Sequence, residues 1–295
     1  MSNSQEDHWY HEDSQRFREA ITLAEASSGF SARLIEKDYY CSLVLHDLAV
    51  QFQQGLIFKG GTCLSKVHAD FFRLSEDLDF AISIQPAASR ADRRRAVTPI
   101  RNHLNEIMSR FPCFELVEEI TGHNDSRQYT GKFAYPSAVT GEHEFIKVEI
   151  SLREETVQPP EIHQARTMLR DPHTGQPVFA PVDVRVLSAI EAYAEKIRAA
   201  LTRRDPAIRD FFDIDHAVQA ALFDHHSQPL RDLVAAKLAI DGNDPVDLSP
   251  AKIAMLRGQV ATDLHSVLRT TDYEAFDLQR VITVLEDIMR LNQLG

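Results

Sequence analysis

The 295-residue sequence has no apolar run approaching the roughly 18 to 20 residues of a membrane-spanning helix. Only three cysteines are present, Cys41, Cys63 and Cys113, and none has CxxC spacing. That excludes a zinc ribbon or disulfide frame and reads as reduced thiols in a cytoplasmic protein. The opening residues, MSNSQEDHWYHEDSQ, are polar and acidic and lack the apolar core of a secretory signal. No GxxxxGKS/T surrounds Lys59 or Lys66, and neither HExxH nor a GxSxG elbow occurs, which removes Walker-type ATPases, zinc proteases and serine hydrolases. His8 and His11 stand in the polar terminus and His225-His226 at a helix end, so no histidine metal centre is expected. Basic charge is in short supply: 32 Lys and Arg against 44 Asp and Glu give a net charge of −12. Non-specific coating of nucleic acid needs the opposite balance. Two local basic clusters remain, Arg90 with Arg93-Arg94-Arg95 and Arg198 with Arg203-Arg204, either a grip for a polynucleotide or a solvated helix face.

What is present is an ordinary globular composition, 43% hydrophobic and 26% charged, with length enough for one or two domains. Apolar spacing predicts helices over 14–28 and 31–50, broken by Ser27-Ser28-Gly29. A short buried strand is expected at Leu56-Ile57-Phe58, a short helix over Thr62–Ala69 and a strand over Leu78–Ile84. A charged amphipathic helix follows across about 89–110, then β-like runs at 114–121, 127–135 and 145–152. Residues 158–177, rich in proline, read as a connector at which strand content ends. From Val182 onward the period becomes helical, with Leu187, Ile190, Ala194, Ile197 and Leu201 on one stripe and further helices at 206–223, 228–239, 249–268 and 273–292. Strands first and helices afterwards predict an α+β core over 1–181 followed by a helical lobe over 182–295.

The chemistry concentrates in Phe58-Lys59-Gly60-Gly61-Thr62 and in Arg73-Leu74-Ser75-Glu76-Asp77-Leu78-Asp79-Phe80. Residues i and i+2 of a strand share a face, so Asp77 and Asp79 project together while Leu78 and Phe80 turn to packing. Like charges held side by side repel unless a cation lies between them. Magnesium-dependent nucleotidyl transfer uses such a pair, with two ions about 4 Å apart clamping attacking and leaving oxygens. Phe145 to Ser151 alternates, and Glu149 shares a face with Lys147 and Ser151. On a neighbouring strand Glu149 would be a third metal carboxylate or a general base. Gly60-Gly61 permits close backbone approach to a phosphate at a helix start, with Thr62 adding a hydroxyl. Lys196 reads either as a solvated lysine or as a triphosphate contact. Asp210 reads as part of an Arg209–Asp213 helix-pair region or as a group that positions the nucleotide. Ser75, beside the acidic pair, is either a serine bonding its own backbone or a phosphorylation switch.

Taken together, KGGTxLSK, RLSEDLDF, IKVEIS, AEKIRAAL and RDFFDI, preceded by Glu36-Lys37-Asp38-Tyr39, resemble the nucleotidyltransferase toxins of the AbiEii/AbiGii type, the group that includes MenT-type toxins. The matching stretch runs from about 35 to 215. The resemblance implies a DNA polymerase β-like nucleotidyltransferase core, a mixed sheet flanked by helices, with a helical C-terminal lobe. It places phosphate binding at Lys59, Gly60, Gly61 and Thr62, with Ser65, Lys66 and Ser75 nearby, and metal at Asp77, Asp79 and Glu149. Asp77, Asp79, Lys196 and Asp210 become the catalytic set. Mg2+ is the implied cofactor, an NTP the substrate, the 3′ end of tRNA the acceptor, and a cognate antitoxin the partner, in toxin–antitoxin or phage defence. A protein or small-molecule acceptor, or a non-catalytic nucleotide-binding module, are the alternatives.

Overall fold

Seven strands of the described residues form one mixed sheet: β1 (Ile57–Lys59), β2 (Asp77–Ala81), β3 (Glu115–His123), β4 (Gln128–Pro136), β5 (His143–Ser151), β6 (Glu161–Ala165) and β7 (Val182–Val186). The computed structural model describes residues 9–85, 87–153 and 155–293. The strand order is β3-β4-β5-β2-β1-β7-β6. The β1–β7 and β2–β5 pairs are parallel and the rest antiparallel. Strand content therefore does not end at the proline-rich connector. β6 forms within it, and Val182–Val186, expected to begin the helical run, is a strand beside β1 with Phe58 opposite Val186. Its Val-x-Val-x-Val alternation is β-favouring, and parallel pairing to an already buried strand overrides the helical period that follows.

One face of the sheet is packed by α1 (Ser14–Ser28) and α2 (Ala32–Gln51), with α4 (Arg90–Asn105) and α5 (Ile107–Arg110) beside them. Inward residues alternate along the strands: Leu78 and Phe80 on β2, and Ile146, Val148 and Ile150 on β5, are all buried in this core. α1 ends on Gly29 in the left-handed conformation (φ 77°), and α4 starts on a Ser89–Asp92 capping box. α2 is buried along nearly its whole length, including Glu36, Lys37 and Asp38. Their charges have internal work. Glu36 accepts from the Ser137 hydroxyl and the Ala138 amide, Lys37 lies 3.5 Å from Glu76, and Asp38 pairs with Lys66 at 2.6 Å.

Between β1 and β2 the chain makes α3 (Gly60–Cys63) and a π-turn over Leu64–His68, wider than the single short helix expected over 62–69. A second core gathers Ile57, Leu64 and Phe72 with the later helices: α6 (Ala189–Thr202), α7 (Ile208–Gln219), α8 (Gln228–Leu238), α9 (Pro250–Gln259), α10 (Thr270–Ala275) and α11 (Leu278–Leu291). The helix expected over 273–292 is two, because Asp277 caps a fresh start at Gln279 and Arg280; the one expected over 249–268 gives way to a π-turn at Val260–Leu264. Ile57 belongs to this second core and Phe58 to the first, so the two helical groups lie on opposite faces of the sheet. The later helices cover the β1–β7 end, and a cleft opens where the β2–β5 surface leaves their shelter. Among the described residues no helix is long and apolar enough to cross a membrane.

Candidate active site

The cleft has a volume of about 680 Å³ and is walled on one side by β1, β2 and β5 and on the other by α6 and α7. Strand register sets its chemistry. Asp79 lies opposite Lys59 on β1 and Glu149 on β5, and Asp77 lies opposite Lys147. The two aspartates thus share the open face, with Leu78 and Phe80 anchoring the strand from behind. Glu149 does come beside them, with its Oε2 accepting from Lys147 Nζ at 3.1 Å. Burial first, then the neighbouring Glu149 and Asp77, pushes the Asp79 carboxyl up to about 6; burial also raises Asp77. Burial works against the Lys147 ammonium, but Glu149, Asp77 and Asp79 outweigh it and raise its pKa.

Gly60 and Gly61 do more than free the backbone. Gly60 has φ 74°, and a Cβ there would run into the Asp79 carboxylate; at Gly61 it would run into the Arg73 guanidinium. The glycines let the acidic strand and Arg73 press against the turn. Ser75 lines the cleft beside Gly61. Thr62 and Lys66 do not line it. The Thr62 hydroxyl donates to the Asp77 carbonyl, which ties α3 to β2. Lys66 is 1% exposed and bonds Asp38, Ser42 and the Arg166 carbonyl, so the phosphate role expected for Lys66 is not supported by its position. That role came from the motif likeness alone; the ammonium instead ties the π-turn to Asp38 and Ser42 of α2.

On the helical wall Lys196 is neither solvated nor alone. Its Nζ sits 2.7 Å from Asp210 and 2.8 Å from Asp213, with a side chain 13% exposed. Asp213 also binds the Arg73 guanidinium through two bonds, and Asp210 binds Arg203 at 2.7 Å. Burial opposes ionisation of both aspartates, yet Lys196 with Arg203 and Arg73 outweighs it and holds them below the usual carboxylate range. Burial opposes the Lys196 ammonium too, and the two aspartates raise it regardless. Asp213 is therefore bonded across the fold to Arg73 and not along its own helix to Arg209. Glu195, the neighbour of Lys196, meets Lys59 at 2.5 Å and Lys237 at 3.3 Å. Burial would raise its carboxyl, but the two lysines bring it down to about 2. Arg73 and Glu195 were given no site role from sequence, and Asp213 was read only as an ion-pair partner of Arg209; the one further signal was their place inside the RLSEDLDF, AEKIRAAL and RDFFDI motifs.

The two basic clusters separate. Arg93 is buried on Asp125 at 2.7 Å and its cluster does not line the cleft, whereas Arg198, Arg203 and Arg204 do. Nine Lys and Arg side chains line the cleft against seven carboxylates, reversing the sign of the whole chain. Cys41 and Cys63 are buried, and burial pushes the Cys41 thiol up to about 12, which suits packing and not nucleophilic chemistry.

A sequence profile described as "Nucleotidyl transferase AbiEii toxin, Type IV TA system" matches residues 43–286. The chain belongs to the AbiEii nucleotidyltransferase toxin family. It is accordingly an enzyme of nucleotidyl transfer, and a type IV toxin–antitoxin family implies an NTP substrate and an antitoxin partner. Comparison with curated proteins gives no match. Two solved Helicobacter pylori structures are similar: JHP933, and a chain described as a candidate nucleotidyltransferase. Each is 16% identical with a TM-score of 0.53, covering 90% of this chain and 94% and 96% of theirs. At that identity the likeness shows the fold, the mixed sheet with flanking helices and C-terminal helices described above.

Proposed function

We propose that this AbiEii-family toxin is a Mg2+-dependent enzyme that transfers an NMP from an NTP to the 3′-terminal hydroxyl of tRNA. The observation that carries the reading is the placement of Asp77 and Asp79, side by side on β2, at the floor of a cleft whose rim is basic. Among the described residues no three His, Cys, Asp or Glu side chains are gathered as a ready-made ion site. Asp77 and Asp79 nonetheless fit a hard cation that takes its remaining oxygens from substrate phosphates. Burial, with repulsion from Glu149 and Asp77 added to it, raises Asp79 to about 6, and a bound cation would relieve that repulsion. Glu149, whose Oε2 is held by Lys147, stands beside that pair. When bound, Mg2+ would supply charge neutralisation on the phosphates and hold the reacting oxygens in line.

The chain's own residues do the rest. Lys59 at the strand end and Lys196 between its two aspartates present fixed positive charge to the triphosphate, held in place before substrate arrives. Gly60 and Gly61 admit the phosphates against the backbone. Asp210 holds Lys196 and Arg203 in one orientation. Glu149 Oε1, the oxygen that Lys147 does not engage, takes the proton of the attacking hydroxyl. Arg198, Arg203 and Arg204 lie where the acceptor strand would enter, so a net-acidic protein can still grip RNA at this one place.

Purified protein incubated with each α-labelled NTP, Mg2+ and total tRNA, beside Asp77→Ala, tests this. Label on tRNA that is lost in the variant supports the reading and names the nucleotide. Label entering only protein or small molecules from an extract would replace the acceptor, and no label anywhere would leave a binding module.

A further inference from the structure

A second cavity, of about 520 Å³, lies between the second half of α2, the residues just after the Leu64–His68 turn and the connection from β6 to β7. It shares no lining residue with the active-site cleft. Its walls are mainly apolar and aromatic, formed by Phe30, Leu45, Phe71, Met168, Phe179 and Pro181. Three arginines line it, Arg166, Arg170 and Arg269, with Asp70 the one carboxylate among the lining residues. Arg166 is taken by Asp70 at 2.6 Å and Arg269 by Asp272 at 2.5 Å. Arg170 bonds only the Gly175 carbonyl at 3.1 Å and has no carboxylate partner among the described residues. Two of these guanidiniums already lie over rings, Arg269 at 4.9 Å from the Phe30 centroid and Arg166 at 5.6 Å from that of Phe71.

We infer that this cavity is a binding site for a small aromatic anion, a flat apolar body carrying one carboxylate, sulfonate or phosphate group. Each feature finds its use in that ligand. The rings and Met168 take the flat body, which is the usual composition of a small-molecule site, mostly apolar with a few placed polar groups. Arg170, and Arg166 where it faces the same space, take the acid through charge-assisted bonds. An apolar occupant would leave Arg170 unmatched, and a cation would meet an excess of positive charge. The cavity wall is also tied to the active site through the chain. Asp70 and Phe71 both adopt left-handed backbone, at φ 49° and 54°, separated from Arg73 by Phe72 alone, and the Ser65 hydroxyl donates to the Arg73 carbonyl.

Calorimetric titration of the full chain with naphthalene-1-sulfonate, and with the neutral 1-naphthalenemethanol, tests the inference. The expected result is one saturable site that binds the sulfonate at least tenfold more tightly than the alcohol. Arg170→Ala, an exposed position whose thermal melt should match the parent, removes most of that difference. Asp77→Ala, or saturating NTP, leaves it unchanged, which keeps this site independent of the proposed transfer reaction. Equal affinity for the two probes, displacement by NTP, or no saturable binding would each overturn the assignment.

Discussion

Replacing Gly60 by alanine adds one methyl group at the most crowded point of the site. Two costs follow. The backbone at φ 74° lies in the left-handed region, where a Cβ costs roughly 1–2 kcal/mol. The new methyl also falls 2.8 Å from both Cβ and Cγ of Asp79 and closer still to its carboxylate oxygen. Asp79 is fixed from behind by Leu78 and Phe80 and cannot turn away without moving β2, so overpacking adds about 1–3 kcal/mol. The expected loss of stability is therefore about 2–5 kcal/mol in urea denaturation. Function suffers more. Restoring ordinary contact displaces the carboxylate by up to about 1 Å, and misplacement of that size costs about a hundredfold in rate. Turnover of α-labelled NTP, measured on the folded fraction, checks this. Gly55→Ala, where a Cβ meets nothing, controls for helix and turn propensity. A Gly60→Ala variant with parental stability and rate would refute the argument that this glycine exists to admit Asp79.

Asp79 itself gives a pH test. Its folded carboxyl, at about 6, lies above its ordinary value of 3.8, so the folded state holds the proton more tightly and stability falls as pH rises from about 4 to about 6. Asp79→Asn should then stabilise the metal-free protein at pH 8 by about 2–3 kcal/mol while abolishing transfer; an unchanged denaturation midpoint would contradict the burial and crowding of this carboxylate. Asp213→Ala strands the buried Arg73 and removes one of the two carboxylates on Lys196, and should cost about 3–5 kcal/mol, with much of the loss recovered in Arg73→Met/Asp213→Leu; calorimetric melting of single and double variants checks it. Lys66→Met leaves Asp38 buried without its partner and should destabilise by about 3–5 kcal/mol yet leave KM for NTP unchanged, whereas a raised KM would return Lys66 to the phosphate site.

Local signals carried far in this chain. Alternation placed Asp77 with Asp79 and Glu149 with Lys147 on single faces, and the parallel β2–β5 register brought these two strands together as the spacing required. Residues 161–165 and 182–186 escaped because strands of five residues, one amid prolines and the other running into a helix, have no period long enough to outweigh their flanks. Burial was the other blind spot. Lys196 has the look of a helix-surface lysine, and only the approach of α7 shows that it is enclosed by Asp210 and Asp213. Arg73 and Asp213 meet across 140 residues, a pairing that no local spacing encodes. Lys66 was placed at the phosphates by resemblance alone, and its ammonium instead closes on Asp38 and Ser42 of α2, a long-range pairing that no local spacing encodes.

The central claim is that the Asp77–Asp79 cleft transfers the α-phosphoryl nucleotide and releases pyrophosphate. The direct measurement uses one NTP labelled at the α-phosphorus and the same NTP labelled at the γ-phosphorus, each with tRNA and Mg2+, for the parent and Asp77→Ala. The account predicts that α-label enters the RNA, γ-label leaves as pyrophosphate, and Asp77→Ala does neither while melting as a folded protein. Transfer of γ-label to the acceptor, or parental rates in Asp77→Ala, would contradict it.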